Sequence, residues 1–176
     1  MSFFDDGVTS YLYEWCVGMA VNGFVSDVYT DYDPSGVDLT EELMEAGLFD
    51  GLKIVIHNHL KGQAPFASHY DIAAFIENRV EYGVVTNDFG VFIIKNKNID
   101  KNYKNSTQIK ECIGNLEERM EKEFLTNNKY AKKWRESNED KYYQELNNHI
   151  KNNYMHYLDE YKTLLGDDFE VVFIDA

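Results

Sequence analysis

Two imidazoles and a carboxylate lie close together in the stretch His57-Asn58-His59 … Ser68-His69-Tyr70-Asp71. Lys53-Ile54-Val55-Ile56 ahead of them is a β-branched run with no breaker, which predicts a buried strand. Side chains alternate along a strand, so His57 and His59 fall on one face, within a few ångströms of each other. A Gly/Pro-containing loop, Gly62–Ala67, follows. Ser68-x-x-Asp71 then opens a helical pattern with Ile72, Phe75 and Ile76 on one side. Two imidazoles at a strand end and a carboxylate in the next helix's first turn can meet at one point. Two nitrogens and one oxygen suit zinc (Zn2+), and three protein ligands leave a fourth position for water, as in catalytic sites. A plainer reading exists for part of the pattern: Ser68 and Asp71 also make an ordinary capping box.

The elements that must position these groups can be read in order. Tyr11–Val21 alternates large and small residues and predicts a strand, Asn22-Gly23 a tight turn, and Phe24–Tyr32 the returning strand. Glu14 is the odd residue in the first strand, a carboxylate in an aromatic run that is either solvated or held at a site. Ser2–Ser10 and Asp33-Pro34-Ser35-Gly36 read as turns, and Leu39–Ala46 as a short acidic helix ended by Gly47. Beyond the helix at about 69–78, Val80–Thr86 and Gly90–Lys95 predict a hairpin turning at Asn87-Asp88-Phe89. Asn96–Asn105, with three Lys and four Asn, reads as a linker. Helical periodicity then predicts two long helices, 106–134 and 138–165, packed as a hairpin, and Phe169–Ile174 a final strand at a sheet edge. His149 and His156, a heptad apart on the second helix, are expected to be structural. The fold class is α+β.

Composition limits what the site can serve. The chain has 176 residues, of which 44% are hydrophobic and 15% aromatic, enough for a substantial core. Its two cysteines, Cys16 and Cys112, make no disulfide framework and point to a reducing compartment. No apolar run is long enough to span a bilayer and no signal-peptide pattern is evident, so a cytoplasmic protein without membrane contact is expected. The net charge is −14, and residues 1–50 hold 11 Asp/Glu with no Lys or Arg. Such a surface repels a polyanion, so direct nucleic-acid binding is not expected. It suits solubility, a basic protein partner or DNA mimicry.

With Glu14, His57, His59, Ser68 and Asp71 assembled, the chain resembles the JAMM metallopeptidases (JAB/MPN domains). Tyr13-Glu14-Trp15-Cys16-Val17-Gly18 resembles that family's Glu-bearing strand. His57-Asn58-His59 with Ser68-His69-Tyr70-Asp71-Ile72 resembles its metal signature, notably in RadC-type and phage-associated members. The likeness covers roughly residues 8–96. Leu60 stands where the family usually has Pro, and the interval from His59 to Ser68 is one residue longer than usual. The resemblance implies a JAB/MPN-like mixed sheet with flanking helices over residues 1–96, followed by a helical-hairpin appendage with a terminal strand over 97–176. It further implies zinc on His57, His59 and Asp71, Glu14 as the group that moves the water's proton, and Ser68 as a donor to the oxyanion or the water. The reaction implied is hydrolysis of a peptide or isopeptide bond in a protein or peptide substrate, of the ubiquitin-like or phage/bacterial kind. His69 is expected on another side of the helix's first turn from Asp71. The rival expectation is a non-catalytic MPN-like module binding a partner through its acidic N-terminal half or helical hairpin, such as a phage or mobile-element inhibitor of a host protein. The Asn-, Lys- and Tyr-rich second half suggests an AT-rich bacterial or phage genome. Other chemistries fit less well: a cupin wants Glu where Gln63 and Ala64 stand, an amidohydrolase barrel needs a longer chain, and no Walker or Rossmann glycine pattern is present.

Overall fold

The computed structural model describes residues 13–21, 23, 25–30, 52–60 and 63–176. The turns expected over 2–10 and 33–36 and the helix expected over 39–46 lie outside the described residues. The architecture is α+β; the described residues form a five-stranded mixed sheet with six helices. The strands are β1 (Cys16–Ala20), β2 (Leu52–Asn58), β3 (Tyr82–Asn87), β4 (Gly90–Asn96) and β5 (Phe169–Asp175), neighbours in that order. The helices are α1 (His69–Glu77), α2 (Ile99–Lys104), α3 (Ser106–Asn127), α4 (Ala131–Ser137), α5 (Glu139–Asn152) and α6 (Tyr154–Leu165).

Every neighbouring pair is antiparallel except β2 and β3, which are parallel and joined through α1. Parallel strands cannot be joined by a tight turn, and the crossover helix puts the N-terminus of α1 beside the C-terminal end of β2. That corner is where a βαβ unit binds ligands. Alternation does the rest. Cys16, Val55, His57, Val85, Phe92, Ile94 and Val171 are buried on one face, and Val55, Val85, Phe92, Ile94 and Val171 share a core with Ile72, Phe75 and Ile76 of α1. Gly83 admits α1 closely: a Cβ there would lie 2.2 Å from Cδ2 of Phe75. Ile113, Leu116 and Met120 of α3 and Tyr157, Leu158 and Tyr161 of α6 close the same cluster, so side chains on both sides of position 96 share one core. Tyr161 donates its hydroxyl hydrogen to the carbonyl of Ala67, tying α6 to the loop before α1.

Several expectations are corrected. The first strand is shorter than Tyr11–Val21, and β1 pairs mainly with β2. Among the described residues, the returning segment meets β1 through isolated antiparallel bridges, Cys16 with Tyr29 and Met19 with Val25, and through Ser26, whose amide donates to Gly18 O at 2.9 Å, after a turn in which Gly23 has φ 86°. The expected linker at 96–105 holds the end of β4 and all of α2; the buried Asn96 carboxamide oxygen accepts from Asn102 at 2.6 Å and makes the corner. The two long helices are four, interrupted at Asn128, Asn138 and Asn153. These side chains bond backbone locally, as Asn128 Oδ1 does to the Tyr130 amide (3.0 Å) and Asn138 Oδ1 to the Lys141 amide (3.1 Å). That competition breaks a helix whose apolar periodicity runs on unbroken. The breaks also rotate the faces: Tyr142 is buried, whereas Tyr143 and Leu164, which continue the apolar spacing of an unbroken helix, are exposed. The final strand lies at the sheet edge against β4, as expected. No helix among the described residues is long and apolar enough to cross a membrane.

Candidate metal centre

His57 is the penultimate residue of β2, and pairing continues past the strand, with the His59 amide donating to Thr86 O at 2.8 Å. Both imidazoles therefore sit on one face at the strand's C-terminal end, with ring centroids 5.1 Å apart. The chain then turns back. Gln63 Oε1 accepts from the Leu60 amide (2.5 Å), and Asn87, the last residue of β3, donates to the carbonyls of Gln63 (3.3 Å) and Ala64 (3.2 Å). This fastens a loop one residue longer than the resemblance leads one to expect.

Ser68 caps α1. Its Oγ accepts from the Asp71 amide at 3.2 Å, and Asp71 Oδ2 accepts from the Ser68 amide at 2.6 Å. The capping box expected from sequence is thus present, and it coexists with convergence on the histidines. Asp71 Oδ1 is 3.1 Å from His57 Nε2, and Oδ2 is 3.2 Å from His59 Nε2. One ligand atom from each of the three residues lies within 4.8 Å of the others. Among the described residues this is the one group of three or more His, Cys, Asp or Glu side chains placed to hold a metal ion.

The donor set fits a dication. His59 Nδ1 faces Ala64 O at 2.9 Å and donates to it, which leaves a lone pair on Nε2 in the neutral ring. His57 Nε2 is buried and, although near Asp71, lies outside hydrogen-bonding geometry. A lone pair 3 Å from a carboxylate oxygen is repelled unless a proton or a cation lies between them. Tetrahedral zinc with bonds of about 2.0–2.1 Å separates its ligand atoms by about 3.3 Å, close to both observed nitrogen–oxygen distances.

Glu14 reaches the same place from the other side. The β1–β2 register pairs Cys16 with His57, and Asn58 N donates to Trp15 O at 3.2 Å. Continued by one more residue, that register sets Glu14 opposite His59. Trp15 N donates to Asn58 Oδ1 (2.7 Å) and Thr30 Oγ1 to Glu14 O (2.7 Å), which fixes the backbone. Glu14 is 7% exposed and lines a cavity of about 890 Å³ together with His57, His59, Ser68 and Asp71. All five residues singled out in the sequence are therefore brought to one cavity.

The electrostatics follow from crowding. Burial pushes the Glu14 carboxyl above its ordinary range, against the pull of His59 and His57 and a hydrogen bond from Gln63. For Asp71, burial acts upward, but His57 and His59 outweigh it and hold the carboxyl well below the usual range. For His59, burial acts downward, and Asp71, the Ala64 carbonyl and Glu14 together move it above an ordinary imidazole.

Two groups escape a reading of the sequence. Gln63, which bonds Glu14, sits in a loop with no periodicity to give its direction. Glu117 of α3 binds His69 from 48 positions away, taking the His69 amide at 2.7 Å and Nδ1 at 2.5 Å. His69 thus turns away from Asp71, as expected. His149 and His156 lie outside this group, the first facing the Tyr157 hydroxyl (3.0 Å) and the second Glu160 (3.0 Å).

Fold and site together define an α+β protein with a His-His-Asp group able to hold a metal ion. Comparison with protein-family models, with curated proteins and with solved structures gave no match to this chain.

Proposed function

We propose that the protein is a zinc-dependent hydrolase of the JAMM kind that cleaves a peptide or isopeptide bond in a protein or peptide substrate. One observation carries this reading: two imidazole nitrogens and a carboxylate oxygen within 4.8 Å of one another share a cavity with a second, buried carboxylate. Zinc on His57, His59 and Asp71 would supply a polarised carbonyl and a water whose pKa is lowered toward about 7. The residues of the chain divide the remaining work. Glu14 accepts a proton from the attacking water on its carboxylate and returns it to the leaving amine; burial, which lifts its pKa, suits a group that must both take and give a proton near neutrality. Ser68 Oγ, which accepts from the Asp71 amide, keeps its own hydrogen to donate to the developing oxyanion. His59 is held in the ligating tautomer by Ala64 O, and Asp71 by the Ser68 amide. The cavity is large enough for several residues of an extended chain beside the metal.

The test combines metal analysis with activity. Wild-type protein and Glu14→Gln should both carry one zinc per chain, and His57→Ala and Asp71→Ala should carry none. Against a fluorogenic isopeptide or peptide panel, wild type should hydrolyse, Glu14→Gln should be slower by about 10²–10⁴-fold, and the metal-free variants should be inactive. A wild-type chain without zinc sinks the reading, and so does a Glu14→Gln variant as active as wild type.

A further inference from the structure

The first turn of α1 carries both Ser68 and Asp71, and it rests on α3. His69 Nδ1 meets Glu117 Oε2 at 2.5 Å, and the His69 amide meets Oε1 of the same carboxylate at 2.7 Å. The His69 ring lies over Gly114, where a Cβ would be in ordinary contact with it at 3.7 Å. Lys110 Nζ stands 4.5 Å from the centroid of the neighbouring Tyr70 ring. Lys110, Gly114 and Glu117 follow one another along one face of α3, at i, i+4 and i+7, and together form a cradle for this turn. Opening amides of a helix have no partner within it. Here the Ser68 amide goes to Asp71, the Asp71 amide to Ser68, and the His69 amide to Glu117. Glu117 is the one external member of this set, and its negative charge also suits the positive end of the helix.

We propose that Glu117 is a positioning residue for the metal centre: by gripping the His69 amide and ring at once, it fixes where the first turn of α1 stands relative to the end of β2. That placement sets the separation of the Asp71 oxygens from His57 Nε2 and His59 Nε2. It makes α3, in the second half of the chain, a working part of a site whose ligands all lie in the first half. The inference rests on the metal reading above. Glu117 also lies close enough to Asp71 for that charge to raise its pKa, alongside the larger effect of burial and against His69. A negative charge this near could favour a dication without positioning anything, so the test must separate reach from charge.

Two conservative variants of the full-length chain do so. Glu117→Gln keeps the reach and loses the charge; its amide can accept from the His69 N–H and donate to Nδ1. Glu117→Asp keeps the charge but is one methylene too short to hold both groups. Zinc affinity is measured by competition with a chromophoric chelator, and site geometry by the visible spectrum of the cobalt(II) form. The expected order is Gln near wild type, with Asp and Glu117→Ala weaker by about 10–100-fold and with shifted cobalt bands. The opposite order, Asp like wild type and Gln weak, overturns positioning in favour of charge alone. Equal affinities and spectra in all variants overturn it outright, with zinc binding by the wild type left intact. A wild-type chain that binds no zinc overturns the metal reading itself, and this inference with it. Circular dichroism checks folding; should Glu117→Ala fail to fold, the Gln/Asp order decides.

Discussion

Asp71→Asn is the most informative single change, because it removes a charged ligand and leaves the cap. An asparagine oxygen can still accept the Ser68 amide, now at 2.6 Å from the carboxylate, so the start of α1 should survive. What is lost is the negative oxygen shared with His57 and His59. At free zinc 100-fold above Kd, binding to the native state alone stabilises it by about 2.7 kcal/mol. For 176 residues, an unfolding entropy of about 2.1 cal/mol/K per residue sums to about 370 cal/mol/K. Zinc should then raise the wild-type Tm by about 7 °C. Structural zinc sites with four ligands bind with about 10–16 kcal/mol, so one ligand contributes about 3 kcal/mol, or a loss of somewhat over 100-fold in affinity. At the same zinc concentration the variant would gain only about 0.3 kcal/mol, a shift below about 1 °C. Differential scanning fluorimetry with and without zinc reads the difference within each protein, so any fall in the metal-free baseline cancels. An Asp71→Asn chain that gains as much as wild type would remove Asp71 from the ligand set, and a wild type that gains nothing would remove the site.

Proton competition supplies a second prediction. Without metal, the His59 pKa lies above 6.5 because Asp71, Ala64 O and Glu14 outweigh burial, so zinc must displace a proton. Apparent zinc affinity should rise with pH by about tenfold per unit for each proton displaced and level off only above the pKa of an ordinary imidazole; calorimetry in buffers of different ionisation enthalpy checks the release. The same linkage governs the metal-free fold. The raised His59 contributes stability below pH 6.5 that is lost as pH rises through its folded pKa, and the depressed Asp71 contributes stability above pH 3.8 that is lost as pH falls. The cluster should therefore stabilise metal-free protein most between those two values, which urea titrations across pH will show or refute. Gly83→Ala would bring a Cβ to 2.2 Å from the Phe75 ring, itself 5.8 Å from the His57 ring. Overpacking of this kind costs about 1–3 kcal/mol, a fall in Tm of about 3–8 °C, and it should weaken zinc binding too; an unchanged melt would mean that α1 does not pack this closely.

The site was legible because its signals are local. A β-branched run followed by His57 and His59 fixes their common face, and Ser68 with Asp71 marks a helix start whatever else those residues do. Glu14 stood out as a carboxylate in an aromatic run, but its role came only through resemblance; what places it is the β1–β2 register, a long-range pairing that no short pattern encodes. The strands from β2 to β5 were found because hairpin turns and alternation are also local. The helical half was misdrawn for a definite reason. Apolar spacing continues through Asn128, Asn138 and Asn153, whereas the side-chain bonds that end each helix depend on where one asparagine oxygen or amide points. Glu117 was invisible for the opposite reason. It lies next to the apolar stripe Ile113–Leu116–Met120 as any solvated residue would, and only tertiary packing brings it to His69.

The central claim, that His57, His59 and Asp71 jointly hold a metal ion beside Glu14, is tested most directly by anomalous diffraction at the zinc edge from crystals of zinc-loaded protein. A single peak is expected about 2.0–2.2 Å from His57 Nε2, His59 Nε2 and an Asp71 oxygen, facing the Glu14 carboxylate across the cavity. A peak elsewhere, for instance at His149 or His156, or no peak between these three side chains, would contradict it.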